Sequence, residues 1–239
     1  MESANNFGLE GKVTIVTAGA SGIGAEAART RLVTITATLE MRNKSRKAVA
    51  FAVEKYGALD IMFSNAGVLG NRACILEIAV NLRGAAACIK HAACVMVERK
   101  THGSIISTAS VASMVSSGPR LARVMVTPHP SMVSWVLSER RVVSLLFMGL
   151  VRTACGELVV YGIRVNLISP YLTATATSCK ELGMEASELE NAVSIAANLK
   201  GIIFKPIHVA QTALFLASDQ SAYVSGHNLV VDGGFLARR

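Results

Sequence analysis

Short, continuous runs of apolar and β-branched residues recur along this chain, separated by glycine-rich turns and by stretches of helix-forming composition. Lys12 to Thr17 is the first such run, and its position between Gly11 and a glycine turn predicts a strand buried on both faces. Leu32 to Thr38, Leu59 to Phe63, Gly103 to Ser107, Ile163 to Ile168 and Asn228 to Val231 read the same way. Helix formers follow the first turn from Ala25 to Arg29 and fill Lys44 to Tyr56. Alternation of this kind predicts an α/β fold, a Rossmann-type doubly wound parallel sheet with helices on both faces.

Two stretches break the alternation. Residues 30–55 offer one strand-like and one helix-like piece where a fold of this type usually fits two of each, so one edge strand and one helix are expected to be missing. Residues 119–148 have no clear period until Ser131, and Pro128-His129-Pro130 forbids regular helix there, so they read as an atypical insertion. No repeat, low-complexity tract or proline-rich linker divides residues 1–239, which are expected to form a single domain.

Composition narrows the function classes. The 239 residues are 51% hydrophobic and 17% charged, which places the chain among folding proteins rather than disordered ones. The formal charge of +8 is scattered, with clusters such as Arg42 to Lys47 and Arg140-Arg141 that lack interleaved aromatics. It reads as solvated faces plus an anionic cofactor, with no nucleic-acid partner.

The five cysteines form no CxxC pair and sit mostly among apolar neighbours, so they are expected to be reduced core thiols. The histidines lack metal-ligand spacing, and no metal is expected. Met1 to Gly11 has no apolar signal core, and runs such as Val142 to Val151 fall short of the roughly 18 residues of a membrane span. A cytoplasmic protein without a membrane partner is the expectation.

The chemistry begins at Ala18-Gly19-Ala20-Ser21-Gly22-Ile23-Gly24, a glycine turn between the first strand and its helix. A helix opening behind glycines presents free backbone N–H groups and a partial positive charge, which suit a diphosphate. Thr17 to Gly24 closely resembles the TGxxxGIG turn of the short-chain dehydrogenase/reductase family. Further segments resemble that family in order: Ser64-Asn65-Ala66-Gly67, Val80-Asn81-Leu82-Arg83-Gly84, Gly103 to Ser110, Tyr161 to Asn166 with Ser169-Pro170, and Tyr223 to Asn228 with Val231-Asp232-Gly233-Gly234. The wording Gly103 to Ser113, with Ala197 to Gly201, looks most like the plant branch that includes momilactone A synthase, secoisolariciresinol dehydrogenase and xanthoxin dehydrogenase.

The resemblance implies NAD- or NADP-dependent hydride transfer on a secondary alcohol or ketone. It implies cofactor contacts from Gly19, Ser21, Gly22, Ile23, Gly24, Asn65, Ala66, Gly67, Pro170 and Thr175, and ribose recognition by Glu40 as the nearest acidic candidate. Ser110 matches the serine that positions the substrate oxygen, and Asn81 the asparagine that supports a proton-relay water. A bland reading stands beside each: a tight turn for the glycines, a strand end for Asn65 to Gly67, a vestige for Ser110, and a backbone bridge at a helix irregularity for Asn81.

The family's catalytic tyrosine and lysine are missing. Counted forward from Ser110, the YxxxK positions hold Arg123 and Thr127; counted back from Gly149, they hold Arg140 and Ser144. None of Tyr56, Tyr161, Tyr171 and Tyr223 has a lysine four residues later. A phenol titrates near pH 10 and works as a base near neutrality only beside a positive charge, while arginine stays protonated throughout. Ala18 also replaces the family's first turn glycine, which would cost roughly 1 kcal/mol if φ is positive there.

Three readings follow. The chain is a family oxidoreductase with impaired activity, a catalytically dead dinucleotide-binding relative, or a poorly folding variant. Family resemblance also implies a homo-oligomer, weakened here because the helix that carries the missing dyad is one of its contact surfaces.

Overall fold

The computed structural model describes residues 7–29, 33–37, 44–67, 81–111 and 145–237. Glu40, the termini of the Leu32 to Thr38 run, and all four positions examined for the tyrosine and lysine lie outside them. Among the described residues six strands form one parallel sheet: β1 Val13–Thr17, β2 Val33–Ala37, β3 Ile61–Ser64, β4 Ser104–Thr108, β5 Arg164–Pro170 and β6 Asn228–Val231, in the order β2-β1-β3-β4-β5-β6. Every strand anticipated from the apolar runs is present. β1, β3 and most of β4 and β5 are buried, as their unbroken apolar character requires.

Among the described residues the α-helices are α1 Gly22–Arg29, α2 Lys44–Tyr56, α3 Arg83–Glu98, α4 at residues 145–158, α5 Ala176–Leu182, α6 Ala186–Ala196 and α7 Pro206–Ala217. Among the described residues, one strand and one helix stand between α1 and β3, and β2 is the sheet edge on that side. This is the shortened arrangement expected of residues 30–55.

Because strand side chains alternate in direction, β1, β3, β4 and β5 each feed two cores. Val13, Ile15, Met62, Ile105, Val165 and Leu167 pack on one face with residues of α2, α3 and α4. Val16, Phe63, Ile106 and Ile168 pack on the other with Ala27 of α1 and Val209, Ala213 and Leu216 of α7. A third, smaller cluster joins Val111, Tyr171, Phe235 and three residues of α6, with the Tyr171 and Phe235 rings stacked at 4.4 Å between centroids. This cluster anchors the α5–α6 flap beside the carboxyl end of the sheet.

The cysteines are less internal than their neighbours in sequence suggest. Among the described residues all are free thiols, but only Cys88 is buried; Cys94 is exposed and Cys155 and Cys179 are half-buried. Cys94 lies on the outer face of amphipathic α3, so apolar neighbours in sequence are not its neighbours in space. No helix among the described residues is long and apolar enough to cross a membrane.

Candidate functional site

The carboxyl ends of β1, β3, β4 and β5 carry the site. Thr17 closes β1 with its side chain buried, and its Oγ1 accepts two backbone hydrogen bonds, from Asn65 N at 2.8 Å and Ala66 N at 2.7 Å. The amides that leave β3 are thereby held against the start of the glycine turn. Asn65 extends the link to β4, where Thr108 Oγ1 donates to Asn65 Oδ1 at 3.1 Å. One threonine and one asparagine therefore set the spacing of three strand ends.

The turn itself is tight. Ala18 has φ of 55°, the left-handed conformation that a side chain disfavours, and Gly22 has φ of 54°. A side chain at Gly24 would run into the backbone carbonyl of Ala18, with the carbonyl carbon 2.8 Å and Asn65 Nδ2 3.1 Å from its Cβ. Gly24 is thus required by close approach of backbone to backbone rather than by its own dihedral angles. The first turn of α1 contains no acidic side chain, so the partial positive charge of its N-terminus is left for another anion. A glycine cradle with these properties fits the diphosphate of a dinucleotide.

The other residues singled out from the sequence gather at the same edge. A Cβ on Gly67 would stand 3.5 Å from Asn81 Oδ1. Asn81 and Leu82 form a wider, π-type turn that precedes α3, so the asparagine stands at a helix irregularity and not within the regular helix. Ser110 follows β4 by two residues. It is held between Ala109, whose N–H donates to Ile168 O at 2.8 Å, and Val111, which is buried in the Tyr171–Phe235 cluster. Pro170 ends β5 and is buried.

Thr175 caps α5: its Oγ1 accepts from Ser178 N at 3.2 Å, and Ser178 Oγ accepts from Thr175 N at 2.9 Å. Its methyl reaches the glycine turn, with Cγ2 3.1 Å from where a Cβ on Gly22 would be. The flap therefore touches the cradle directly. Gly19, Ser21 and Ile23 lie in or beside the turn, so every sequence-derived site residue within the described part reaches this one edge.

Thr108 and the double role of Thr17 were not among the residues singled out. The signal for Thr17 was the first letter of the turn motif. Thr108 offered none, since its partner is 43 residues away.

Two family models match the chain: one described as short chain dehydrogenase over residues 26–121, the other as Enoyl-(Acyl carrier protein) reductase over residues 145–236. Residues 122–144, which contain both pairs of positions considered for the tyrosine and lysine, belong to neither match. The chain is similar to Short-chain dehydrogenase reductase 3b of Arabidopsis thaliana, 41% identical, covering 95% of this chain and 96% of that protein. The alignment runs over 264 positions against 239 residues in the chain, so it opens gaps in the chain. Secoisolariciresinol dehydrogenase of Forsythia intermedia is 36% identical over 95% of this chain and 90% of its own length. The solved structure described as "ElxO with NADP Bound" superposes with a TM-score of 0.76 at 20% identity, covering 95% of this chain and 99% of that one.

Proposed function

Because this chain belongs to the short-chain dehydrogenase/reductase family and to its plant branch, we propose that it binds a nicotinamide dinucleotide, NAD or NADP, along the carboxyl edge of the sheet, and that its turnover of alcohols or ketones is impaired. The cradle of Ala18 to Gly24 would hold the diphosphate, with Asn65, Ala66 and Gly67 along the adjoining wall and Pro170 and Thr175 over the nicotinamide end. When bound, the nicotinamide supplies or accepts a hydride at the substrate carbon.

The chain's own part is to move a proton at the substrate oxygen as hydride moves. Ser110 can hold that oxygen by a hydrogen bond, and Asn81 can hold a water. Neither hydroxyl nor carboxamide is a competent base near neutrality, and the tyrosine–lysine couple that fills this role in the family has no counterpart in the sequence. Loss of a general base costs about two to four orders of magnitude.

The observation that carries this reading is the convergence of the glycine cradle, Asn65, Asn81 and Ser110 on one edge from which YxxxK is missing. A dehydrogenase assay run beside a dinucleotide titration followed by Trp135 fluorescence tests it. Saturable binding with turnover depressed at least a hundredfold relative to an intact homologue is expected. Turnover at an ordinary rate overturns the impairment, a folded chain that ignores dinucleotide overturns the site, and an unfolded spectrum favours the poorly folding variant. Sedimentation supplies a separate check, with association weaker than in intact homologues expected because the segment before residue 145, next to the described part of α4, departs from the family pattern in sequence.

A further inference from the structure

The interior beneath this edge contains hydroxyls with nothing to bond. Ser107 on β4 and Ser169 on β5 are both fully buried, and neither Oγ has a hydrogen-bond partner. They lie on the same side of the sheet, because Ile105 and Leu167, two residues before each, pack into the core formed with α3 and α4. Ser107 pairs with Leu167 across β4 and β5, which sets Ser169 diagonally one side-chain layer nearer the carboxyl edge. On the other side of Ser107, in register, stands Ser64 of β3, hydrogen-bonded to Cys88 of α3. Three adjacent strands thus carry, at or next to their carboxyl ends, serines that face one side of the sheet, Ser64 and Ser107 in one layer and Ser169 in the next.

Native interiors leave few buried hydroxyls unpartnered, because each has lost its water without a replacement. Two such groups, diagonal neighbours on adjacent strands with a third polar side chain beside them, supply the two to four partners that a buried water needs, whereas a void lined by apolar groups stays dry. We infer that the ends of β3, β4 and β5 enclose a buried hydration site, in which ordered water is held by the hydroxyls of Ser107 and Ser169 with Ser64 at its rim. The water ties together the strand ends that lead to Ser110 and Pro170, and it does so whether or not the dinucleotide reading holds.

A high-resolution crystal structure of the full chain should show density within hydrogen-bond distance of Ser107 Oγ or Ser169 Oγ. Both hydroxyls packed against apolar atoms with no such density would overturn the inference. Ser107→Ala, Ser169→Ala and the double variant then test it in solution by denaturant unfolding. If water is held, each single variant lowers the midpoint, and the double variant loses less than the sum because the two share a partner. If the hydroxyls are dry orphans, removing either one raises the midpoint or leaves it unchanged, and the effects add. Should Ser107→Ala not fold, Ser107→Cys keeps the volume while weakening the hydrogen bonds, and the same ordering is expected.

Discussion

The backbone carbonyl of Ala18 occupies the space that a Cβ on Gly24 would need, so the two residues that frame the glycine turn constrain each other. One is an alanine held at φ of 55°, where a glycine would be unstrained; the other is a glycine at a place where an alanine cannot fit. The turn is therefore strained at its entrance and intolerant at its exit.

Gly24→Ala is expected to destabilise the fold by about 1–3 kcal/mol, because the obstructing atoms are backbone and cannot rotate away. Ala18→Gly is expected to have the opposite sign, gaining about 1 kcal/mol by relieving the left-handed alanine, and to tighten dinucleotide binding. Denaturant unfolding and calorimetric titration of both variants check this pair; a loss of stability in Ala18→Gly would contradict it.

Arg164 reaches from β5 to the end of α7, donating to the carbonyls of Leu216 at 2.7 Å, Ala217 at 3.3 Å and Ser218 at 3.1 Å and to Ser221 Oγ at 2.8 Å. Burial lowers its pKa, Asp219 opposes the shift, and the guanidinium satisfies carbonyls that a helix terminus leaves open. Arg164→Met should cost about 1.5–3 kcal/mol, the worth of hydrogen bonds to a charged group, because Leu216 O and Ser218 O then keep neutral donors from Ser104 and Ser221 in place of the guanidinium. Arg164→Lys should recover only part of the loss, because an ammonium cannot fork across four acceptors. Thermal unfolding of the two variants provides the comparison.

The buried Cys88 thiol is pushed up to about 11 by desolvation, against the lowering effect of its hydrogen bond to Ser64. The unfolded chain, with its thiol near the ordinary 9.0, ionises first, so the stability that neutral Cys88 contributes is complete below pH 9 and is lost as pH rises toward 11. The difference amounts to about 2–3 kcal/mol at 1.36 kcal/mol per unit. Unfolding followed from pH 8 to 11 should therefore fall more steeply in the parent chain than in Cys88→Ala. In native protein, exposed Cys94 should react with a thiol reagent well before Cys88.

Rebuilding the dyad tests the framework. The two positions inferred for the tyrosine, 123 and 140, differ by 17 residues. Deleting that many residues from the segment and installing Arg123→Tyr and Thr127→Lys should give NAD-linked alcohol oxidation, read by nicotinamide absorbance. Adding Ser110→Ala to that variant should depress the recovered rate by about 10²-fold or more. A rebuilt chain that folds, binds dinucleotide and stays inert would place the defect elsewhere in the edge.

The local pattern determined a large part of this protein. Buried parallel strands must be continuous and apolar, so β1 and β3 to β5 stand out as runs, as does half-buried β6; helix formers mark α2, and the glycine turn marks the opening of α1. The absence of a YxxxK pair was legible too, since it is a matter of spacing alone. Tertiary structure decided what depends on register: that Thr17 receives two amides from residues 48 and 49 positions away, that Thr108 meets Asn65, that Thr175 touches Gly22, and that Ser64, Ser107 and Ser169 face the same side of the sheet in adjoining layers. Those contacts arise only when strands distant in sequence lie side by side, and strand order is set by burying both sheet faces at once, a condition that no local stretch of residues expresses.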